Sequence, residues 1–330
     1  MDSIPRLLIT MGDVAGIGPE VIARAWPAIL SMCQPVVVGD PDWLNRALSL
    51  VGSKARAAVV ADIASAAASP ERVPCLVCTR QNLSDVATGH VSAAAGRAAY
   101  DFLCTAIDRT LSGEAQCIVT APLHKEGLRA AGLHYPGHTE ILAERTGTTK
   151  FAMMLYNEPL GVIHVTLHMA LRDVFRHLSQ TAVEDNIRLL HGVMQRLLDR
   201  APRIGVAALN PHASDGGLFG HEEVKIIEPA VRSAQAAGID ATGPWPSDTL
   251  FLRAHKGDFD GIVAMYHDQG HIAIKLLSGL KAVNISVGLP IVRTSVAHGT
   301  AYDIAGQGIA DAGSMIEAVR VAALLTRRAT

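Results

Sequence analysis

Short apolar runs alternate with longer segments whose apolar positions recur at helical spacing, and this alternation persists along most of the chain. The runs Leu7–Thr10, Pro35–Val38, Cys75–Cys78, Cys117–Thr120, Phe151–Leu155, Gly161–Thr166, Ile204–Ala208, Gly261–Met265 and Val283–Val287 read as strands. The segments Pro19–Leu30, Val91–Leu111, Thr139–Arg145, Thr181–Leu198, Glu222–Ala237 and Ser314–Leu325 read as helices. Strand and helix in alternation imply βαβ units, hence an α/β fold with mostly parallel sheets and helices on both faces. Two polar stretches, "SDVATGH" before Val91 and "APLHKEGLRAAGLHYPGHTE" after the Cys117–Thr120 run, punctuate the pattern. The alanine-rich "ASAAAS" near Ala66 reads as a plain helix, and no internal repeat is apparent.

At 330 residues the chain has room for two domains or one large one. Hydrophobic residues make up 49% and charged residues 18%, enough for a sizeable core and too apolar for disorder. The net charge of −2 and the absence of any Lys/Arg-rich block argue against a nucleic-acid partner. No apolar run approaches the roughly 18 residues of a membrane span, and "MDSIPRLLITMGD" is a poor signal peptide. A soluble cytoplasmic protein with no membrane partner is the expectation. The five cysteines are odd in number, and Cys75 and Cys78 form a lone C-x-x-C with both residues expected on a strand. With no second pair to complete a zinc site, they read as reduced structural residues.

Titratable chemistry gathers where strands stop. "GVIHVTLH" ends in His168, "GVAALNPH" in His212 and "GIVAMYH" in His267. In open α/β sheets ligands bind beyond the carboxyl ends of strands. Three imidazoles delivered to one such edge would make a metal site with positions left open for a substrate. Any one of the 14 histidines is by itself more often structural, and His164 reads that way; the recurrence of three is what points to a metal. Further on, Lys275, Asn284 and Arg293 lie within or beside apolar runs, which predicts an inward-facing anion site of ammonium and guanidinium groups. The opening turn "GDVAGIGPEV" places Pro19 and Glu20 at a helix start. No G-x-G-x-x-G fingerprint accompanies it, but "HGTAYDIAGQG" near the C-terminus is a second glycine-rich loop.

"GDVAGIGPE" and "HGTAYDIAGQG" resemble the opening and the cofactor loop of decarboxylating dehydrogenases of the isocitrate and isopropylmalate type. More closely, "VTAPLHK", "PGHTE", "HMALRD", "NPHASDGG", "DTLF", "MYHDQG" and "NISVGLPIVRTSVAHGTA", in this order and almost end to end, resemble the 4-hydroxythreonine-4-phosphate dehydrogenase family of vitamin B6 biosynthesis. The resemblance implies two α/β/α domains, residues 1–135 with 300–330 and residues 136–299, the second carrying metal and dimer contacts, with the active site in the cleft between them. It implies that His168, His212 and His267 bind one divalent ion (zinc, magnesium, cobalt or manganese), one of the three coming from the partner subunit of a homodimer. His138, Thr139, Lys275, Asn284 and Arg293 would hold a small phosphorylated hydroxy acid. The loop residues His298, Gly299, Thr300, Ala301 and Asp303 would cradle the adenosine half of NAD. The loop has no Arg or Lys from His298 to Ala312, which favours NAD over NADP. Asp268 would orient a ligand, as carboxylates behind metal-bound histidines do. Asp248 of "SDTLF" is the candidate proton acceptor, its alternative role being a helix N-cap. His271 receives no role.

The activity so implied is oxidation of a 4-phosphorylated 3-hydroxy acid by NAD with loss of carbon dioxide, the metal acting as Lewis acid. The chain departs from the biosynthetic pattern at Val14, where proline is usual, and in "TLHMALRD". "YPGHTE", "FAMMLY" and "VIHVTLHMALRD" look closer to a branch acting on D-threonate or D-erythronate 4-phosphate. A relative that oxidises a cis-dihydrodiol dicarboxylate shares other motifs, but the intact phosphate set argues against that substrate. A non-catalytic phosphoacid- or metal-binding protein would have no need of the cofactor loop.

Overall fold

The computed structural model describes residues 4–279 and 281–327. Along the chain come β1 (Arg6–Thr10), α1 (Gly18–Ile29), β2 (Gln34–Val38), α2 (Pro41–Leu50), β3 (Arg56–Val60), β4 (Arg72–Leu76), α3 (Ala93–Leu111), β5 (Cys117–Thr120), α4 (Lys125–Ala130) and α5 (His138–Thr146). Then follow β6 (Ala152–Asn157), β7 (Leu160–His164), α6 (Leu171–His177), α7 (Gln180–Leu198), β8 (Ile204–Ala207) and α8 (Glu228–Ala236). The last elements are β9 (Ala241–Trp245), α9 (Ser247–His255), β10 (Gly261–Ala264), α10 (His267–Ser278), β11 (Val283–Val287), β12 (Val292–Val296) and α11 (Gly313–Arg327).

Two compact units divide the chain, Met1–Thr149 with Leu289–Thr330, and Lys150–Gly288. Strands of the first run β3-β4-β2-β1-β5-β12, each parallel to its neighbour. Those of the second run β11-β6-β7-β10-β8-β9. Here β7, β10, β8 and β9 are parallel, and β6 is antiparallel to β7 and β11. The α/β reading with mostly parallel strands is thus borne out. The sequence partition had put residues 136–299 in the second unit. Helix α5 and strand β12 fall instead in the first, because α5 packs on α3 and β12 pairs with β5.

Every residue of β5, β8 and β10 is buried. Strands covered on both faces must be apolar throughout, which is why their runs were visible in the sequence. Three strands escaped that reading. β3 is partly exposed, β9 carries glycine and proline, and Arg293 interrupts β12. The "ASAAAS" segment is not helical and its residues are largely exposed, so alanine propensity had no apolar face to work with. Cys75 lies in β4, whereas Cys78 lies beyond its end. All five cysteines are free thiols, and burial pushes those of Cys33, Cys75 and Cys117 up to about 12. No helix among the described residues is long and apolar enough to cross a membrane.

Two local devices fix the frame. At the turn after β1, Gly12 has φ 68°, and a Cβ there would stand 2.2 Å from the Pro122 carbonyl oxygen. Only glycine fits. In the second unit, Asp260 is buried just before β10 and accepts from the Arg200 guanidinium at 2.8 and 2.9 Å. It also accepts from the Arg203 backbone N–H at 2.8 Å and from its guanidinium at 3.1 Å. Burial alone would raise the Asp260 pKa, but these donors overcome it and hold the carboxyl well below its ordinary 3.8. A depressed carboxyl pKa contributes stability above the unfolded value that is lost as pH falls through the folded one. Asp260→Asn should therefore cost about 1–2 kcal/mol in urea unfolding at pH 7, since the half-exposed arginines it leaves behind stay hydrated. The gap from wild type should narrow as pH drops below 3.8. A gap independent of pH would show that the charge is not what matters.

Candidate active site

Strands β7, β10 and β8 are parallel neighbours, so their carboxyl ends share one edge of the second unit. His164 ends β7, with His168 four residues on; His267 opens α10 just past β10; His212 follows β8 by five residues. The His168 and His267 rings stand 5.9 Å apart. Both line a cavity of about 300 Å³ walled by Leu167, Met169, Leu171, Val174 and Tyr266. His267 Nδ1 is 2.6 Å from Asp268 Oδ1. A carboxylate only accepts, so Nδ1 carries the hydrogen and the Nε2 lone pair is the ligating position. Asp268 thus fixes the orientation of the His267 ring.

His212 stands apart from this pair, its ring 6.4 Å from Phe219. Among the described residues no group of three His, Cys, Asp or Glu side chains is arranged to hold a metal. A single chain brings together two of the three predicted ligands. His212 lies in a run, His212 to Gly216, with every φ between 45° and 72°. Left-handed backbone is unfavourable for non-glycine residues and persists only where neighbours hold it. The approach to the run is held by Glu223, a buried carboxylate. Its Oε1 accepts from the N–H groups of Leu209 and Asn210 at 2.9 and 2.7 Å, and its Oε2 from Asn210 Nδ2 at 2.9 Å. Ser214 Oγ adds a bond to the Gly220 carbonyl.

Helical spacing along α10 places His271 one turn beyond His267, and the two rings stack at 3.8 Å. His271 Nδ1 in turn lies 3.0 Å from His164 Nε2. Burial, with the charge of His271 second, lowers the His164 pKa to about 3. Burial, with His267 and Lys275 next, lowers that of His271 to about 4. Both therefore stay neutral and support the His267 ring. The intervening Gly270 is obligatory, since a Cβ would lie 2.4 Å from His164 Nε2. Gln269 ties this edge together: its Oε1 accepts from Met265 N–H at 2.6 Å, and its Nε2 donates to the Ala208 carbonyl and to Ser247 Oγ.

In the first unit, Arg293 on β12 is buried and donates from Nη2 to Thr120 Oγ1 at 2.6 Å. Burial lowers its pKa to about 9, with Glu140 pulling the other way. His138 opens α5, a nine-residue helix whose N-terminus has no side-chain cap. Burial and the Arg293 charge drive the His138 pKa well below 6.5, against a hydrogen bond to the Ala121 backbone. With Thr139 in the same first turn, an uncapped helix start and a buried guanidinium are groups of the kind that bind anions. His298 Nδ1 donates to the Gly299 carbonyl at 3.0 Å, leaving a buried Nε2 with no hydrogen-bond partner. An acceptor so placed fits a ligand that brings its own donor. Ala301 has φ 43°, and Asp303 follows in the same loop.

The remaining predicted residues are in the second unit. Lys275 is exposed on α10 rather than inward-facing: it lies two helical turns beyond His267, outside the buried stretch. Asn284 is half-buried on β11, with Nδ2 3.3 Å from Met153 Sδ and a buried, unpartnered Oδ1. Asp248 is not an N-cap. It sits exposed in the first turn of α9, after the N-cap Pro246, accepting from Thr249 N–H at 3.0 Å.

A family model described as "Pyridoxal phosphate biosynthetic protein PdxA" matches residues 31–322. The chain is 48% identical over 309 residues to a 4-hydroxythreonine-4-phosphate dehydrogenase of Beijerinckia indica, covering 94% of this chain and 91% of the relative. It is 47% identical over 337 residues to a D-threonate 4-phosphate dehydrogenase of Cupriavidus necator, covering 99% of each. The crystal structure of a 4-hydroxythreonine-4-phosphate dehydrogenase from Klebsiella pneumoniae superposes with a TM-score of 0.88 at 42% identity, covering 98% and 99% of the two chains. The chain belongs to the PdxA family.

Removing the Glu223 carboxylate should loosen the turn that carries His212. Glu223→Ala is expected to speed amide exchange across residues 209–216 at least about tenfold, the loss of roughly 1.4 kcal/mol or more of local stability. Unchanged protection there would mean that the left-handed run holds itself.

Proposed function

We propose that the protein is a dehydrogenase that uses NAD and a divalent metal to oxidise and decarboxylate a 4-phosphorylated 3-hydroxy acid, 4-hydroxythreonine 4-phosphate foremost. The observation that carries this reading is the His168–His267 pair, with Asp268 fixing the His267 tautomer suited to ligation. The names of the relatives from Beijerinckia and Klebsiella support the substrate class.

In this reading His168 and His267 hold the ion, and His212 of the partner subunit completes the set in a homodimer. Exposed apolar side chains lie on the same elements as the candidate ligands: Leu171 and Phe175 on α6, Ile272 and Leu276 on α10, and Leu218 and Phe219 after the left-handed run. A divalent ion, whether zinc, magnesium, cobalt or manganese, would supply Lewis acidity at the substrate hydroxyl, and NAD would take the hydride. Arg293, His138 and Thr139 bind and orient the phosphate. His138 is neutral, so it offers a hydrogen bond rather than a charge. Lys275 and Asn284 are assigned to the rest of the substrate, and Asp248 to proton acceptance. His298, Gly299, Thr300, Ala301 and Asp303 hold the adenosine half of NAD. The enzyme would act in the cytoplasm, with no nucleic-acid or membrane partner.

A second reading, a D-threonate or D-erythronate 4-phosphate dehydrogenase, is favoured by the relative from Cupriavidus, which matches 99% of both chains at nearly the same identity. The two substrates differ in charge. The amino acid carries an ammonium group where the sugar acid carries a neutral hydroxyl, so one enzyme is expected to prefer one clearly. A guanidinium receives carboxylate as well as phosphate, so the cis-dihydrodiol dicarboxylate is separated by the assay below; the cofactor loop weighs against a non-catalytic binding protein.

The test is NAD reduction with divalent metal over both phosphorylated acids and the diol. Arg293→Lys keeps the charge and loses the planar fork, so kcat/KM for the phosphorylated substrate should fall at least about tenfold, the equivalent of roughly 1.4 kcal/mol. Metal content should stay at the wild-type level. Turnover of the diol alone, or an Arg293→Lys enzyme with unchanged kcat/KM, would remove the phosphate assignment.

A further inference from the structure

We infer that Tyr302, Asp13 and His124 form a latch that positions the cofactor loop; the inference rests on the assignment of that loop to NAD. The three residues come from distant motifs, "GDVAGIGPE", "VTAPLHK" and "HGTAYDIAGQG". They follow the carboxyl ends of β1, β5 and β12, where β5 pairs in parallel with both of the others. The Tyr302 hydroxyl donates to Asp13 Oδ2 at 2.8 Å. Its ring lies on the His124 imidazole with centroids 4.5 Å apart and planes within 12°.

Both partners are anchored in the framework rather than in the loop. Asp13 is fully buried; its Oδ1 accepts from Ala15 N–H at 2.9 Å, and its own N–H donates to the Pro122 carbonyl at 2.9 Å. Burial raises its pKa, while the Tyr302 hydroxyl, Ala15 N–H and His124 pull it back. A buried carboxyl needs such donors. His124 is the N-cap of α4, with Nδ1 accepting from Gly127 N–H at 3.4 Å. Tyr302 therefore closes on a rigid seat. Next to it, the Thr300 carbonyl accepts from Ile17 N–H at 2.9 Å. Ala301, held between these two ties, has φ 43°, a conformation alanine keeps only under constraint. Tyr302 acts through the loop, so it is a positioning residue and not a catalytic one.

A loop that spends only part of its time in the binding conformation lowers the apparent affinity by that fraction. Tyr302→Phe keeps the stack on His124 and removes the bond to Asp13. In the metal-loaded full-length protein it should accelerate amide exchange over residues 298–306 and raise the calorimetric Kd for NAD about tenfold. The KM for the hydroxy acid should stay at its wild-type value. Unchanged exchange in Tyr302→Phe overturns the latch, and so does accelerated exchange with an unchanged Kd. A fall in melting temperature with neither change marks Tyr302 as merely structural and overturns it too. If wild-type protein does not bind NAD, the cofactor assignment fails, and exchange alone then decides whether the latch exists.

Discussion

A parallel strand buried on both faces can carry almost nothing but apolar side chains, so polar chemistry is driven to the edge where strands stop. The units follow this constraint except at β12, where Arg293, Thr294 and Ser295 are buried within the strand. In the second, β7, β10 and β8 deliver His164, His168, His267 and His212 beyond one edge. In the first, β1, β5 and β12 deliver Asp13, Thr120, His124 and His298 in the same way. Helix α10 begins just past the end of β10 with His267 its first residue, and His138 opens α5, which follows α4. Uncapped N–H groups and imidazoles thus accumulate where a ligand can reach them.

What surrounds the candidate ligands is as specific as the ligands themselves. His267 is oriented from one side by Asp268 and supported on its face by His271, which leans on His164. His212 lies in a left-handed run whose approach the buried carboxylate of Glu223 holds and which Ser214 ties to Gly220. Such supports set the direction of a lone pair and the cost of moving it. The unfavourable backbone at residues 212–216 belongs with them, since strain of this kind survives only where the structure around it is strong.

The sequence disclosed the strands whose apolar runs were unbroken and the histidines that followed them, because both follow from burial. It concealed β12, since Arg293 breaks the run, and α10, since a helix opening with His-Asp-Gln-Gly has no apolar face at its start. The His271–His164 pair, Gln269, Glu223 and the Tyr302–Asp13 contact were not legible, because each joins residues far apart in the chain. Helical spacing of His267 and His271 could have suggested that they share a face had the helix been recognised. Lys275 is exposed on α10 although its sequence neighbours are apolar, because neighbours along a helix do not share its face.

The central claim is that one chain supplies two ligands and a second copy the third. Anomalous diffraction at the metal edge, from crystals grown with zinc or cobalt, tests it most directly. The account predicts one ion per protomer on His168 and His267 of one chain and His212 of the partner subunit. An ion bound without that pair, or one that takes His212 from the same chain, would contradict it.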